Sequence, residues 1–225
     1  MLHFDITRSS KIDRTFRVAK IQSDFDYTAE QTNESFKGTL SLPDKWNIGL
    51  IVGGSGTGKS TIAKELFGKQ LITSFAYTSK SVIDDMPRDK TVEEIVRTFY
   101  SVGFGSVPSW LKPYGVLSNG ERMRVDLARA ILEHDFFVFD EFTSVIDREV
   151  AKTACIALHK AMKQNNKQFV AVTCHHDVIE YLQPDWVFDT DTMQMLFQYP
   201  RGHDNNSSSE DVTVGSGENL SVITI

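Results

Sequence analysis

The segment IGLIVGGSGTGKST, residues 48–61, constrains the fold more than any other stretch. Ile48–Val52 is an unbroken apolar run, too short for a helix, and fits a strand buried on both faces. Glycines 53, 54, 56 and 58 follow, so the chain must turn sharply there. Ser60 to Phe67 then carries a short helical pattern, with Gly68 as its stop. A strand that feeds a helix through a tight loop is the unit from which parallel sheets are built.

The same loop fits the pattern G-x-x-x-x-G-K-[ST] at Gly53, Gly58, Lys59 and Ser60. Glycines let backbone N–H groups point inward and cradle phosphate oxygens. The start of the following helix adds partial positive charge. Gly53, Gly54, Ser55, Gly56, Thr57, Gly58, Lys59, Ser60 and Thr61 are therefore expected to hold ATP. Lys59 would reach the β- and γ-phosphates, and Ser60 would bind Mg²⁺.

A second apolar run, FFVFDE at 136–141, ends on two carboxylates. In a parallel sheet, ligands gather at the carboxyl ends of the strands. Asp140 is expected to face the same Mg²⁺ as Ser60. Glu141 would orient and deprotonate an attacking water. The expected catalytic residues are Glu141, Lys59 and a histidine considered below.

The rest of the chain alternates strands with helices. Residues 1–47 read as β-rich, with FRVAKIQSDF and SFKGTLSL as strand-like runs. LITSFAY (71–77) reads as a strand and 79–90 as a loop. Thr91 to Val102 is a helix opened by a Thr91/Glu94 capping box and ended by Gly103. Residues 103–117 read as loop. Ser118 and Glu121 form a second capping box, before a helix whose Met123, Leu127 and Ile131 recur every four residues. Asp147 caps another helix, with Val150, Ala154, Leu158 and Ala161 inward. FVAVTC (169–174) is a strand, Asp177 to Leu182 a short helix, and WVFD and TMQMLFQY are two closing strands. From about residue 200 the composition turns polar and acidic, which predicts a disordered tail over 200–225.

Three segments now stand in a fixed order: Gly53–Ser60, then LSNGE (117–121), then Asp140-Glu141 followed by FTSVID (142–147). Together they resemble the ABC ATPase superfamily, whose signature reads L-S-G-G-Q and whose E-P-T-S-x-L-D follows the acidic strand. The resemblance covers roughly residues 15–190. It implies a P-loop NTPase fold of α/β class: a three-layer parallel-sheet core, an N-terminal antiparallel β lobe and a short helical lobe at about 79–130. It also implies a single ATPase domain over 1–199. Two subunits would sandwich two ATP molecules head to tail, with Ser118 and the Gly120 N–H reaching the partner's γ-phosphate. Asp147 would communicate across that interface. A histidine after the next strand would touch the γ-phosphate: His175 if Cys174 ends that strand, otherwise His176. The finer likeness is to soluble bacterial and phage-encoded ABC ATPases.

The sequence departs from the family in three places. No glutamine stands at the loop after LITSFAY, where Ser79, Lys80 or Ser81 falls instead. The gap from Lys59 to Ser118 is 118 − 59 = 59 residues, which predicts a small helical lobe. The aromatic ring expected to stack on adenine is either Phe25 or Tyr27, each of which fits equally as a core residue of the β lobe. The missing glutamine and the short helical lobe favour a free-standing ATPase, with the cassette of a membrane transporter as the alternative.

Composition sets the remaining bounds. A net charge of −6 gives no support for a general nucleic-acid grip. No apolar run approaches a membrane span. The two cysteines, Cys155 and Cys174, lack metal-ligand spacing and fit a reduced, cytoplasmic setting.

Overall fold

The computed structural model describes residues 1–28 and 31–198; the expected tail at 200–225 lies outside them. In chain order the elements are β1 (Leu2–Lys11), α1 (Phe16–Asp24), β2 (Gln31–Leu40), β3 (Ile48–Val52), α2 (Lys59–Phe67) and β4 (Leu71–Ile72). Then come α3 (Val92–Ser101), α4 (Val107–Trp110), α5 (Asn119–Glu133), β5 (Phe136–Phe139) and α6 (Arg148–Asn165). The chain closes with β6 (Gln168–Thr173), α7 (Val178–Leu182), β7 (Trp186–Asp189) and β8 (Gln194–Gln198). Short 3-10 turns lie at Val82–Asp85 and Tyr114–Val116.

The main sheet has six strands in the order β4-β5-β6-β3-β7-β8. The first five are parallel, and β8 returns antiparallel to β7. β3 lies inside the sheet, between β6 and β7, and all five of its residues are buried. Alternate residues of a strand face opposite sides. Ile48, Leu50 and Val52 accordingly pack into one cluster with α3, α5 and α6, and Ile51 packs into the other. The second cluster holds Ile62, Ala63 and Phe67 of α2, together with Phe4, Phe36 and Leu40 of the β1–β2 ribbon. The sheet is thus covered on both faces, as alternating strands and helices require. This is the P-loop fold with an antiparallel β sheet at its N-terminus.

On the second face, Gly49 admits the ring of Trp186. A Cβ at Gly49 would lie 2.0 Å from Trp186 Cζ2. Trp46, Phe67 and Phe136 complete this aromatic packing by edge contacts of 5.5–5.7 Å around it. Trp186 and Phe67 are the buried rings of this group, and each contributes about 1.5–3 kcal/mol.

Two expected strands differ. FRVAKIQSDF is not a strand: residues 16–24 form α1, opened by Thr15, whose hydroxyl accepts the Val18 N–H at 3.3 Å. None of its residues is buried, so it bridges the two strands of the ribbon without joining the core. LITSFAY pairs only at Leu71↔Val138 and Ile72↔Phe139. Its partner β5 ends at Phe139, so no ladder remains for residues 73–77. Residues 103–117, read as loop, contain α4 and a 3-10 turn. Every regular element between 79 and 130 is helical.

Candidate nucleotide site

The glycine loop leaves the carboxyl end of β3 and turns into α2. Gly56 and Gly58 have φ of 82° and 86°, a region that side chains rarely adopt. Gly58 is the N-cap of α2 and brings no side-chain cap. The first N–H groups of α2 are therefore available to an external anion. A Cβ at Gly56 would meet nothing within 4 Å, so the loop is open on that side. Lys59 Nζ donates to the Gly54 carbonyl, which holds the ammonium over the loop.

The loop is anchored by the turn after β7. Gly54 N–H donates to both carboxylate oxygens of Asp191 at 3.0 Å. Thr57 Oγ1 donates to the Gly54 carbonyl at 2.9 Å and lies 2.5 Å from Thr190 Oγ1. Thr190 in turn donates its N–H to Val52 at 2.8 Å. Sequence reasoning missed Thr190 and Asp191, because no local pattern links them to a loop some 137 residues away.

β5 places Asp140 and Glu141 at the carboxyl edge of the same sheet. Glu141 N–H donates to Asp140 Oδ1 at 2.9 Å, and Glu141 Oε2 accepts from Ser144 Oγ at 2.7 Å. Glu141 and Thr143 have φ of 53° and 68°. Left-handed backbone costs roughly 1–3 kcal/mol at a residue with a side chain and persists where the surroundings enforce it. That outlier marks the segment as a functional candidate, and nothing in the sequence signalled it. Thr143 is buried, and its hydroxyl lies 3.2 Å from His175 Nδ1. His176 gathers with Asp189 and Asp191, their ligand atoms within 4.8 Å of one another.

Ser118 and Gly120 belong to a different part of the chain. Ser118 N-caps α5, and the reciprocal capping box with Glu121 is complete. Glu121 also accepts from Ser109 Oγ at 2.6 Å. The Ser109 hydroxyl, then the Ser118 N–H, hold the Glu121 carboxyl below the usual range. A Cβ at Gly120 would lie 2.9 Å from Val150 Cγ1, so the start of α5 packs against the start of α6. Asp147 caps α6, accepting the N–H groups of Glu149 at 2.9 Å and Val150 at 3.1 Å. The hydrogen-bond partners of Ser118 lie around α5, not in the glycine loop.

Two other candidates can be placed. Phe25 and Tyr27 are 76% and 47% exposed, so neither is the core residue that each could equally have been. Cys155 and Cys174 are free thiols. Burial pushes Cys155 up to about 12, which removes it as a nucleophile.

The donor set fits a magnesium nucleotide. A ring of backbone N–H groups, an uncapped helix start and an ammonium suit a polyphosphate. A hydroxyl at Ser60 and a carboxylate at Asp140 are the hard oxygen donors that Mg²⁺ takes.

No protein-family profile matches the chain. It is 26% identical over 208 residues to the energy-coupling factor transporter ATP-binding protein EcfA1 of Staphylococcus aureus strain USA300, spanning 74% of this chain and 72% of that one. The same protein from strain MSSA476 is 27% identical over 207 residues. Among solved structures, it resembles the post-hydrolysis dimer of the ATP-binding cassette MJ0796 bound to ADP and Pi. The TM-score is 0.57 at 14% identity, over 83% of this chain and 92% of that one. A dimer of MJ0796, described as a bacterial ABC transporter cassette, gives a TM-score of 0.54 at 14% identity, over 69% and 87% of the two chains. A metal-chelate type ABC transporter in an inward-facing conformation gives 0.57 at 18% identity, over 72% and 76%. With the ordered motifs and the loop geometry, these likenesses give the chain a P-loop fold and make it similar to the ATP-binding proteins of ABC transporters.

Proposed function

We propose that this chain binds and hydrolyses Mg-ATP as a head-to-tail homodimer and serves as the ATP-binding subunit of a membrane transporter. The observation that carries the first half is the glycine loop: open at Gly56, uncapped at Gly58, with Lys59 held above it. The curated relatives support the second half, because they are named as ATP-binding proteins of a transporter. That reading displaces the free-standing ATPase favoured by the missing glutamine and the short helical lobe. No helix among the described residues is long and apolar enough to cross a membrane.

The residues divide the work. The loop N–H groups other than that of Gly54, which Asp191 already occupies, and the Lys59 ammonium hold the phosphates and neutralise the charge that develops on them. Ser60 and Asp140 hold Mg²⁺, which supplies further charge neutralisation when bound. Glu141 orients the attacking water and takes its proton. β6 ends at Thr173, one residue short of the strand end that would select His175, but the contact of Thr143 with the His175 ring favours His175 as the residue that holds the γ-phosphate. Ser118 and the Gly120 N–H contact the nucleotide of the second subunit, which makes the interface two-fold and self-complementary. Their distance in sequence and in contacts from the glycine loop of their own chain supports an action in trans.

The test is the mass in solution of Glu141→Gln with and without Mg-ATP. The expected result is a monomer without nucleotide and a dimer with it, abolished by Ser118→Arg. A monomer that binds Mg-ATP without associating overturns the homodimer.

A further inference from the structure

The turns that anchor the glycine loop carry three side chains that the proposed chemistry does not use. His176 follows β6, Asp189 ends β7, and Asp191 stands two residues further on. One ligand atom from each lies within 4.8 Å of the other two. The sheet brings them together. Val52, the last residue of β3, pairs with Thr173 of β6 on one side and with Asp189 of β7 on the other. The group thus brackets the end of the strand from which the glycine loop springs.

Asp189 is the informative member. It is only 8% exposed, so water solvates its carboxylate poorly. Among the described residues, its one hydrogen bond comes from the Asp191 N–H to Oδ1 at 2.8 Å, from within the group. Its Oδ2 receives no donor there, and no lysine or arginine forms an ion pair with Asp189 or Asp191. A buried carboxylate is costly unless it is paired or coordinates a metal. Here a second carboxylate and an imidazole stand where a protein cation would.

A divalent ion offsets such a set. One imidazole nitrogen and two carboxylate oxygens suit Zn²⁺, with three protein ligands and a fourth position for water. Mg²⁺ takes oxygen donors, so this group differs in kind from Ser60 and Asp140. Donors about 2.0–2.2 Å from one ion stand roughly 3.3–3.6 Å apart in a tetrahedron. The set therefore has to close by about 1.5 Å at most. His176 and Asp191 are exposed and able to turn, and Asp189 is the fixed point. Ligating carboxylates are oriented by outer hydrogen bonds. Asp191 already has one, because it accepts the Gly54 N–H at 3.0 Å.

We propose that His176, Asp189 and Asp191 form a site for a divalent transition ion of the Zn²⁺ kind, separate from the magnesium of the nucleotide, that stiffens the anchor of the phosphate loop. The ion joins the turns after β6 and β7 across the end of β3, and Asp191 carries that restraint to Gly54. The site depends on neither the homodimer nor the transporter reading.

The experiment titrates Zn²⁺ by calorimetry into the full, metal-stripped chain, without nucleotide and with Mg²⁺ in excess. Every variant carries Cys174→Ser, which removes the exposed thiol two residues before His176. Amide exchange of residues 53–58 is followed alongside. The expected result is one saturable Zn²⁺ per chain, with exchange of residues 53–58 slowed. His176→Ala, at an exposed position, should weaken binding by about 10²-fold or more, beyond the loss that an outer partner causes. Asp189→Asn should act in the same direction, and where it fails to fold, as thermal unfolding without Zn²⁺ would reveal, His176→Ala decides. His175→Ala and Asp140→Asn should keep the binding. A chain with no saturable uptake overturns the site. So does binding that survives His176→Ala, or that is lost with His175 or Asp140. Binding that leaves the exchange of residues 53–58 unchanged overturns the stiffening of the loop.

Discussion

The ring of Phe36, on β2, covers Gly58 so closely that a Cβ there would lie 2.5 Å from Phe36 Cε1. The ribbon formed by β1 and β2 therefore acts as a lid on the last turn of the phosphate loop. Gly58→Ala meets two obstacles, the ring and a φ of 86°. Left-handed backbone alone costs about 1–2 kcal/mol there. The expected outcome is a lower Tm and weaker ATP binding. In a double-mutant cycle, Phe36→Ala should recover the part due to the ring and leave the part due to backbone.

Acid should loosen the start of α5. Glu121 is held below the ordinary carboxylate range by hydrogen bonds to its charged form, that from Ser109 first. Its folded pKa is lower than its unfolded one, near 4.3. Its contribution is complete above the unfolded value and is lost as pH falls through the folded one. A series of Tm values from about pH 6 downward should fall less steeply for Glu121→Gln than for the parent. Ser118→Ala, which removes the other arm of the box, should cost about 1 kcal/mol at neutral pH.

The two histidines after β6 are separable by rate. His175 is tied to Thr143 beside Glu141, whereas His176 sits with Asp189 and Asp191. His175→Ala should lower kcat by roughly 10²-fold or more with ATP binding kept. His176→Ala should leave kcat within a few-fold, while disturbing the turn that holds Gly54. Single-turnover hydrolysis and nucleotide affinity on both variants distinguish the two roles, and a reversed pattern would exchange them.

Gly49→Ala tests the core instead of the site. Its Cβ would overlap the Trp186 ring, and overpacking of this kind costs about 1–3 kcal/mol. Urea unfolding should show the loss, while ATP affinity of the folded protein stays the same.

Periodicity and capping made most of the core legible. β3 and β5 announced themselves by unbroken apolar runs, and the boxes at Thr91 and Ser118 appeared as complete reciprocal pairs. The failures have physical causes. FRVAKIQSDF carries apolar residues that bury nothing, so hydrophobicity gave no usable direction. LITSFAY has strand-forming residues, but strand length depends on the partner, and β5 ends at Phe139. The glycine loop was legible because its chemistry is local. Its anchors Thr190 and Asp191 and the left-handed turn at Glu141 were not, because they arise from contacts that only the closed sheet creates.

The brevity of β4 has a consequence for how copies of this protein can meet. An open sheet edge ordinarily invites another chain to add a strand. Here that edge offers two residues, and the chain beyond Ile72 is already claimed by Arg129 and Asp126. On this side a newcomer finds only two residues of strand to zip onto, so this edge of the sheet is a poor template for fibre-like growth.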